Sequence, residues 1–568
     1  MTSRDLTPDA LGSRDFCSGR PRFADAALAA LAAREGDIAA WRLAFAQGGV
    51  AAPAAVAGDF AVALRDERGR VFLAVDRFAT RTLCYRVDGQ RLSFAARADA
   101  LANSDVDIDP QALFDYLFFH VIPSPRTVLR GVQRLPPGHC ACFEDGRLTV
   151  QPYWTPTFDE RHDRSFTDLK GQFRAHIESA VRTQIGTGDP ARVGCFLSGG
   201  TDSSTVAGMF GRVTGLPART YSIGFDAAGY DEMEFARIAS RHFGTEHHEY
   251  YVTPDDLVRS IPKVAAHYDQ PFGNSSALPA YYCAVMARDD GIDRILAGDG
   301  GDELFGGNTR YAMQRVFGWY DAVPPILRTH LMEPILRQPG AARLKLLRRG
   351  AGYVNQAKVP LPDRLQMFNL LLRLGIDNVL TPAFRRQIDI EAPAREQREV
   401  WVAARNASQV NRMLAFDWRY TLADNDLPKV CGTTALAGVE VGFPFLDDAL
   451  LDFSMHLPSD YKLKRLTLRW FFKEALRGFL PDEIIAKKKH GFGLPFGVWA
   501  TRHPALKRLA ADSLASLSGR GIVRAEFTRT LVTERLVEAP GYYGEMVWIL
   551  MLLEQWLQAH APNWRVEA

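Results

Sequence analysis

Residues 195–204 read C-F-L-S-G-G-T-D-S-S, an apolar run that breaks into glycine, serine and a single aspartate. That composition suits an anion. The glycines let the backbone come close, while amides at a helix start and the hydroxyls of Ser198, Ser203 and Ser204 can donate to phosphate oxygens. Asp202 then stands as a ligand for Mg²⁺. The chain has no G-x-x-x-x-G-K run, so this is not a Walker loop. Residues 296–307, L-A-G-D-G-G-D-E-L-F-G-G, crowd carboxylates and glycines directly behind an apolar strand. Such a run makes a poor core and a costly idle loop, but a good surface for metal and phosphate. Two further segments stand out: 440–447, E-V-G-F-P-F-L-D, and 480–495, L-P-D-E-I-I-A-K-K-K-H-G-F-G-L-P. His242, His247 and His248 do not make a metal cluster, because adjacent histidines on a strand point to opposite faces.

These segments need a scaffold, and the surrounding pattern supplies one. Over residues 59–97, short apolar runs at 60–64, 71–75, 83–87 and 92–96 alternate with turns at 66–69 and at Asp88-Gly89. The spacing predicts antiparallel strands joined by hairpins. A further turn at 135–139 extends the β-rich region to about residue 155. After a polar stretch, Leu169, Phe173, His176, Ile177 and Val181 recur at helical spacing and predict a helix over 166–185. Strands at 193–197, 220–225, 247–252 and 294–297, separated by helices starting near 204 and 233, predict a parallel sheet covered on both faces. From about 311 to 560 the pattern is mainly helical. The fold class is therefore α/β: a β-rich sandwich over 1–155, followed by a parallel-sheet domain over 165–560.

The bulk composition excludes several functions. A chain of 568 residues holds about two to four domains, and 47% hydrophobic with 24% charged residues is typical of a soluble globular protein. A net charge of +2 gives no electrostatic reason to expect nucleic acid or an anionic membrane. The seven cysteines are scattered and lack paired C-x-x-C spacing, which fits a reducing compartment. No apolar leader opens the sequence, and the apolar stretch at 547–553 is too short to span a bilayer. The expected location is cytoplasmic.

Taken together and in order, the four segments resemble the asparagine synthetases and their amide-forming relatives, which include β-lactam synthetase and the lasso-peptide cyclases. The loop at 198–203 is similar to the S-G-G-x-D-S loop of the N-type ATP pyrophosphatases. The resemblance covers residues 170–500. It implies an N-terminal Ntn-hydrolase-like sandwich before an ATP pyrophosphatase domain, with ATP as co-substrate and Mg²⁺ as cofactor. By the same resemblance Leu197, Ile223, Ala297 and Gly298 hold the nucleoside, and Ser198, Gly199, Gly200, Asp202, Ser203 and Ser204 hold the pyrophosphate portion. Asp202 and Asp302 bind Mg²⁺, Asp299 serves the acyl-adenylate, and Lys489 stabilises charge during adenylation. Lys487 and Lys488 read as a solvated basic face.

The sequence departs from the family in two places. Glutamine-using members carry a cysteine directly after the initiator Met, whereas this chain opens Met1-Thr2-Ser3 and Cys17 is its first cysteine. The Asn-Gly-Glu glutamine pocket is also absent, so the expectation is a sandwich without glutaminase activity. In the acceptor region the family reads K-V-D-R-x-S, but here residues 429–434 read K-V-C-G-T-T and Gly442 replaces an arginine. Losing those charges points away from free aspartate, toward an amino-acid derivative, a peptide or a uronic acid. The nitrogen is expected to come from ammonia or an amine, with a homodimer or an ammonia-supplying partner implied by the family. The alternatives are an intramolecular cyclase or tailoring amidotransferase, and a non-catalytic nucleotide-binding scaffold.

Overall fold

The alternation of strands and helices is realised in a computed structural model that describes residues 15–102, 107–328, 330, 334, 353–487 and 493–567. The β-rich part contains β1 (Phe16–Gly19), β2 (Phe60–Arg65), β3 (Val71–Val75), β4 (Cys84–Asp88), β5 (Arg91–Ala95), β6 (Val132–Arg134), β7 (His139–Glu144) and β8 (Arg147–Pro152). These form one sheet in the order β1-β2-β3-β7-β8 and a second in the order β5-β4-β6. All their pairings are antiparallel. β2 and β3 are continuous apolar runs because both their faces are covered. One face packs Phe60 and Phe72 against Trp41 and Phe45 of helix α2 (Asp37–Gly48), which follows α1 (Ala26–Glu35). The other face packs Leu73 and Val75 in one cluster with Leu83 and with Tyr85 and Phe94 of the second sheet. β1, the strand that carries Cys17, has no counterpart among the strands expected from the sequence.

After α3 (Pro110–Phe119), helix α4 spans Phe166–Ile185, with the Ser165 side chain accepting from the Asp168 amide at its start and Gly186 at its end. The parallel sheet follows: β9 (Val193–Phe196), β10 (Arg219–Phe225), β11 (Glu246–Val252), β12 (Arg294–Leu296) and β13 (Glu440–Gly442), in the order β11-β10-β9-β12-β13. Helices α5 (Thr201–Thr214), α6 (Met233–Phe243), α7 (Pro254–His267) and α8 (Ala277–Asp289) connect the strands up to β12. From β9 the chain moves first to one side, through β10 and β11, and then to the other, through β12. The carboxyl ends of β9 and β12 therefore flank a topological switch point, where open α/β sheets bind ligands. The two glycine- and acid-rich loops leave the sheet there.

Two more helices matter below: α9 (Gly301–Phe305) and α10 (Leu427–Ala437). The late apolar stretch lies in α11 (Pro540–His560), in which every residue from 546 to 557 is buried, so it is a core helix. Among the described residues, no helix is long and apolar enough to cross a membrane.

Candidate active site

The loop after β9 turns into α5 at Gly200, whose cap position has no side-chain hydrogen bond, so the first-turn amides are not capped by a side chain. The Ser198 amide donates to Ser203 Oγ at 3.1 Å, and the two hydroxyls lie 3.0 Å apart. Gly199 sits at φ +66°, and a Cβ there would lie 2.3 Å from the carbonyl carbon of Phe235. Only glycine fits, because the loop is pressed onto the start of α6. Ser204 is fully buried, and its hydroxyl lacks a partner among the described residues.

The loop after β12 closes onto the first. A Cβ at Gly298 would meet the Ser203 amide at 2.8 Å, and one at Gly301 would meet Asp202 Oδ1 at 1.9 Å. Glycines at these two places let the Asp202 and Asp302 carboxylates converge. Between them lies Arg469, which the sequence reading missed. Its Nη1 donates to Asp202 Oδ2 at 2.7 Å, Asp302 Oδ1 at 2.6 Å and Thr201 Oγ1 at 2.9 Å, and its Nη2 donates to Asp202 Oδ1. Desolvation disfavours the buried guanidinium, but Asp202 and Asp302 outweigh that cost and hold it protonated above the usual arginine range. Arg469 has left-handed backbone, φ +54° and ψ 34°, rare for a non-glycine residue and typical of strained functional positions. No motif flagged it. The only hint in the sequence is a basic residue 20 positions before Lys489.

Leu197 and Ile223 lie on neighbouring chain segments, with the Leu197 amide donating to Tyr221 O at 3.0 Å. Both side chains and that of Ala297 are buried, which leaves the backbone as the part of these positions able to meet a ligand. Asp299 is paired with Lys429 of α10, whose Nζ lies 3.5 Å from Asp299 Oδ1 and 3.0 Å from Asp426 Oδ1. Burial raises the Asp299 carboxyl above its usual range, with Lys429 opposing the rise. Lys429 is likewise disfavoured by desolvation, yet Asp426 and Asp299 hold it charged.

At two of the departures in the acceptor region, neighbours occupy the space a side chain would take. A Cβ at Gly432 would lie 2.5 Å from the ring of Tyr268, which fills the space a side chain would take. At Gly442 a Cβ would lie 2.9 Å from Arg294 Nη2 and 2.6 Å from Gln184 Oε1. The Arg294 guanidinium, which comes from the start of β12 and bonds Glu440 and Gln184, thus lies against Gly442.

Lys489 and Lys488 lie outside the described residues. Lys487 corrects the expectation of a solvated face: its Nζ is 3.0 Å from Glu232 Oε2 and 3.4 Å from Gly199 O, which places it against the phosphate loop. Behind the site, the Arg469 amide donates to Lys462 O at 2.8 Å. Lys462 Nζ donates to Asn411 Oδ1 at 2.8 Å, and Asn411 Nδ2 donates to Glu160 Oε1, also at 2.8 Å, in the segment that joins sandwich to α4.

In the sandwich, burial pushes the Cys17 thiol up to about 12, with Asp37 adding to the rise, which is the opposite of what a nucleophilic cysteine needs. Met1 and Thr2 lie outside the described residues. His247 bonds Thr220 and His248 stacks on Tyr221, so the two histidines use opposite faces of β11; among the described residues no group of side chains forms a metal cluster.

The family model described as asparagine synthase matches residues 172–558, and the one described as glutamine amidotransferase domain matches residues 35–154. Among curated relatives, asparagine synthetase (glutamine-hydrolyzing) 1 of Bacillus subtilis (strain 168) is 27% identical over 452 residues, covering 78% of this chain and 68% of the relative. Asparagine synthetase (glutamine-hydrolyzing) 3 of the same strain is 24% identical over 524 residues, 88% of this chain and 76% of the relative. A protein named amidase chyE, from Penicillium rubens (strain ATCC 28089 / DSM 1075 / NRRL 1951 / Wisconsin 54-1255), is 24% identical over 512 residues, 80% and 72% respectively.

Proposed function

This chain belongs to the asparagine synthase family, and on that premise we propose that it adenylates a carboxylate with ATP, releases pyrophosphate, and passes the acyl group to ammonia or an amine. The family match makes it an ATP-dependent carbon–nitrogen ligase. The observation that carries the finer reading is the convergence of the loops after β9 and β12 on one cation position. In this reading the backbone at Leu197, Ile223, Ala297 and Gly298 receives the nucleoside. Ser198, Gly199, Gly200, Ser203 and Ser204 then receive the β and γ phosphates, which places cleavage between the α and β phosphates.

The donor set fits Mg²⁺. Asp202 and Asp302 already bring oxygens to 2.7 and 2.6 Å from a single cationic nitrogen, so the same two carboxylates would hold the ion. When bound, Mg²⁺ supplies charge neutralisation along the phosphates. Arg469 and Lys489 complement the negative charge that builds on the phosphates during adenylation, the kind of preorganised electrostatic stabilisation that lowers a barrier most. Asp299, held by Lys429, orients the incoming acyl end, and its raised carboxyl suits it to take a proton from the attacking amine.

We read residues 1–155 as a glutaminase-like domain without its catalytic cysteine and 165–560 as the synthetase domain. Nitrogen then comes from ammonia, from a partner, or from an amine on the substrate, as in a cyclase or tailoring ligase. The acyl substrate is a carboxylate: aspartate, another amino-acid derivative, a peptide or a uronic acid. The test is to incubate the purified protein with ATP and a panel of carboxylates, with ammonium, glutamine or no nitrogen source, and to separate the spent nucleotide. AMP with equimolar pyrophosphate is expected; ADP as the product would overturn the assignment.

A further inference from the structure

Lys487 stands next to the segment that carries the expected catalytic lysine, but its own side chain goes elsewhere. It is only 10% exposed, ion-paired to Glu232 Oε2 at 3.0 Å, and its ammonium lies 4.5 Å from the centre of the Phe235 ring. Its second acceptor is the carbonyl of Gly199 at 3.4 Å, within the phosphate loop itself. In a trans peptide the C=O and the following N–H point in opposite directions. The cation that holds the Gly199 oxygen therefore turns the Gly200 N–H to the other side of the loop, where it faces Ser198 Oγ at 3.4 Å; Ser203 Oγ lies on that side too, 3.0 Å from Ser198 Oγ. The peptide concerned joins two glycines, and without Cβ atoms on either side it has little steric resistance to flipping.

We infer that Lys487 is a positioning residue for the nucleotide: by fixing the Gly199 carbonyl it keeps the Gly200 amide aimed, with the two serine hydroxyls, at the phosphate chain. Glu232 keeps the ammonium in place, and Phe235 walls it off from solvent. This rests on the proposed reading of the loop after β9 as the pyrophosphate site.

The test uses calorimetric binding of Mg²⁺-ATP and Mg²⁺-pyrophosphate to the full chain, which needs no acyl substrate, together with steady-state KM and kcat. Lys487→Met keeps the length of the side chain but removes the donor. It is expected to weaken both ligands about 10-fold or more, the scale of one hydrogen bond from a charged group, and to raise KM for ATP while leaving KM for the carboxylate unchanged. Lys487→Gln, which can still donate to the Gly199 carbonyl, is expected to stay within about threefold of wild type on the same scale. Wild-type affinity in Lys487→Met, or a Gln variant that loses as much as the Met variant, overturns the inference. Should the Met variant fail to fold, a 10-fold loss in Lys487→Gln does so alone. Failure of the wild-type protein to bind either ligand would instead remove the pyrophosphate site, and with it the proposed function.

Discussion

Replacing Arg469 by alanine would leave Asp202 and Asp302 facing each other across the space that the guanidinium now fills. Arg469 serves as an internal counter-ion for both, bonded to them at 2.7 and 2.6 Å and only 6% exposed. Removing one partner of a buried ion pair costs about 3–5 kcal/mol, because the remaining charge stays desolvated and loses that partner. A divalent cation bound at the same two carboxylates would recover that energy, whereas in the wild type it must first displace the arginine. At 1.4 kcal/mol per factor of ten, Arg469→Ala is expected to bind Mn²⁺ without added nucleotide about 10²- to 4 × 10³-fold more tightly than wild type. The loss of the free Mn²⁺ resonance in an electron paramagnetic resonance titration reads this directly. Arg469→Lys, with one ammonium in place of a two-nitrogen fork, should fall between the two. Equal Mn²⁺ affinity in wild type and Arg469→Ala would refute the idea that the arginine occupies the cation position.

Gly199→Ala combines a φ of +66° with a Cβ 2.3 Å from the Phe235 carbonyl carbon; it should lose at least about 1–2 kcal/mol from backbone strain alone and abolish ATP binding in the same calorimetric experiment. Burial pushes Lys462 down to about 7, with Glu160 opposing, while an unfolded lysine titrates near 10.4. Between about pH 10 and 7 the unfolded chain takes up a proton that the folded chain refuses, so wild-type stability falls as pH drops through that window. Relative to Lys462→Met the change should reach about 4 kcal/mol; parallel urea midpoints for the two proteins at pH 7 and 10 would contradict it. Glutamate release from glutamine should stay at background with ATP and the acyl substrate present, and Cys17→Ser should not alter it. An ATP-dependent release lost in that variant would restore a glutaminase role to Cys17.

Much of the scaffold was legible because it is written in local periodicity. The spacing of Leu169, Phe173, Ile177 and Val181 marks α4, and apolar runs ending in glycine mark β9 and β12. Position in the sheet follows from the same pattern, since a strand that ends in a glycine-rich turn before a helix belongs at the crevice. β1 escaped notice because F-C-S-G is only four residues long and its partner, β2, lies more than forty residues downstream. Arg469 escaped for a different reason: its partners Asp202 and Asp302 are distant in sequence, and one arginine before a W-F-F run carries no local signal. Long-range pairing is equally invisible in local sequence. Arg294 lies against Gly442 from a strand nearly 150 residues upstream, and Lys487, one of three adjacent lysines, is turned inward by Glu232.

The contacts running from Glu160 through Asn411 and Lys462 to the Arg469 backbone give the joining segment a mechanical role. That segment is fastened at one end to the sandwich and, through three successive hydrogen bonds, to the strained residue that stands at the cation position. Whatever its chemistry, the sandwich can act as an abutment, bracing the phosphate end of the site. Domain loss would then be felt first as slack at one arginine.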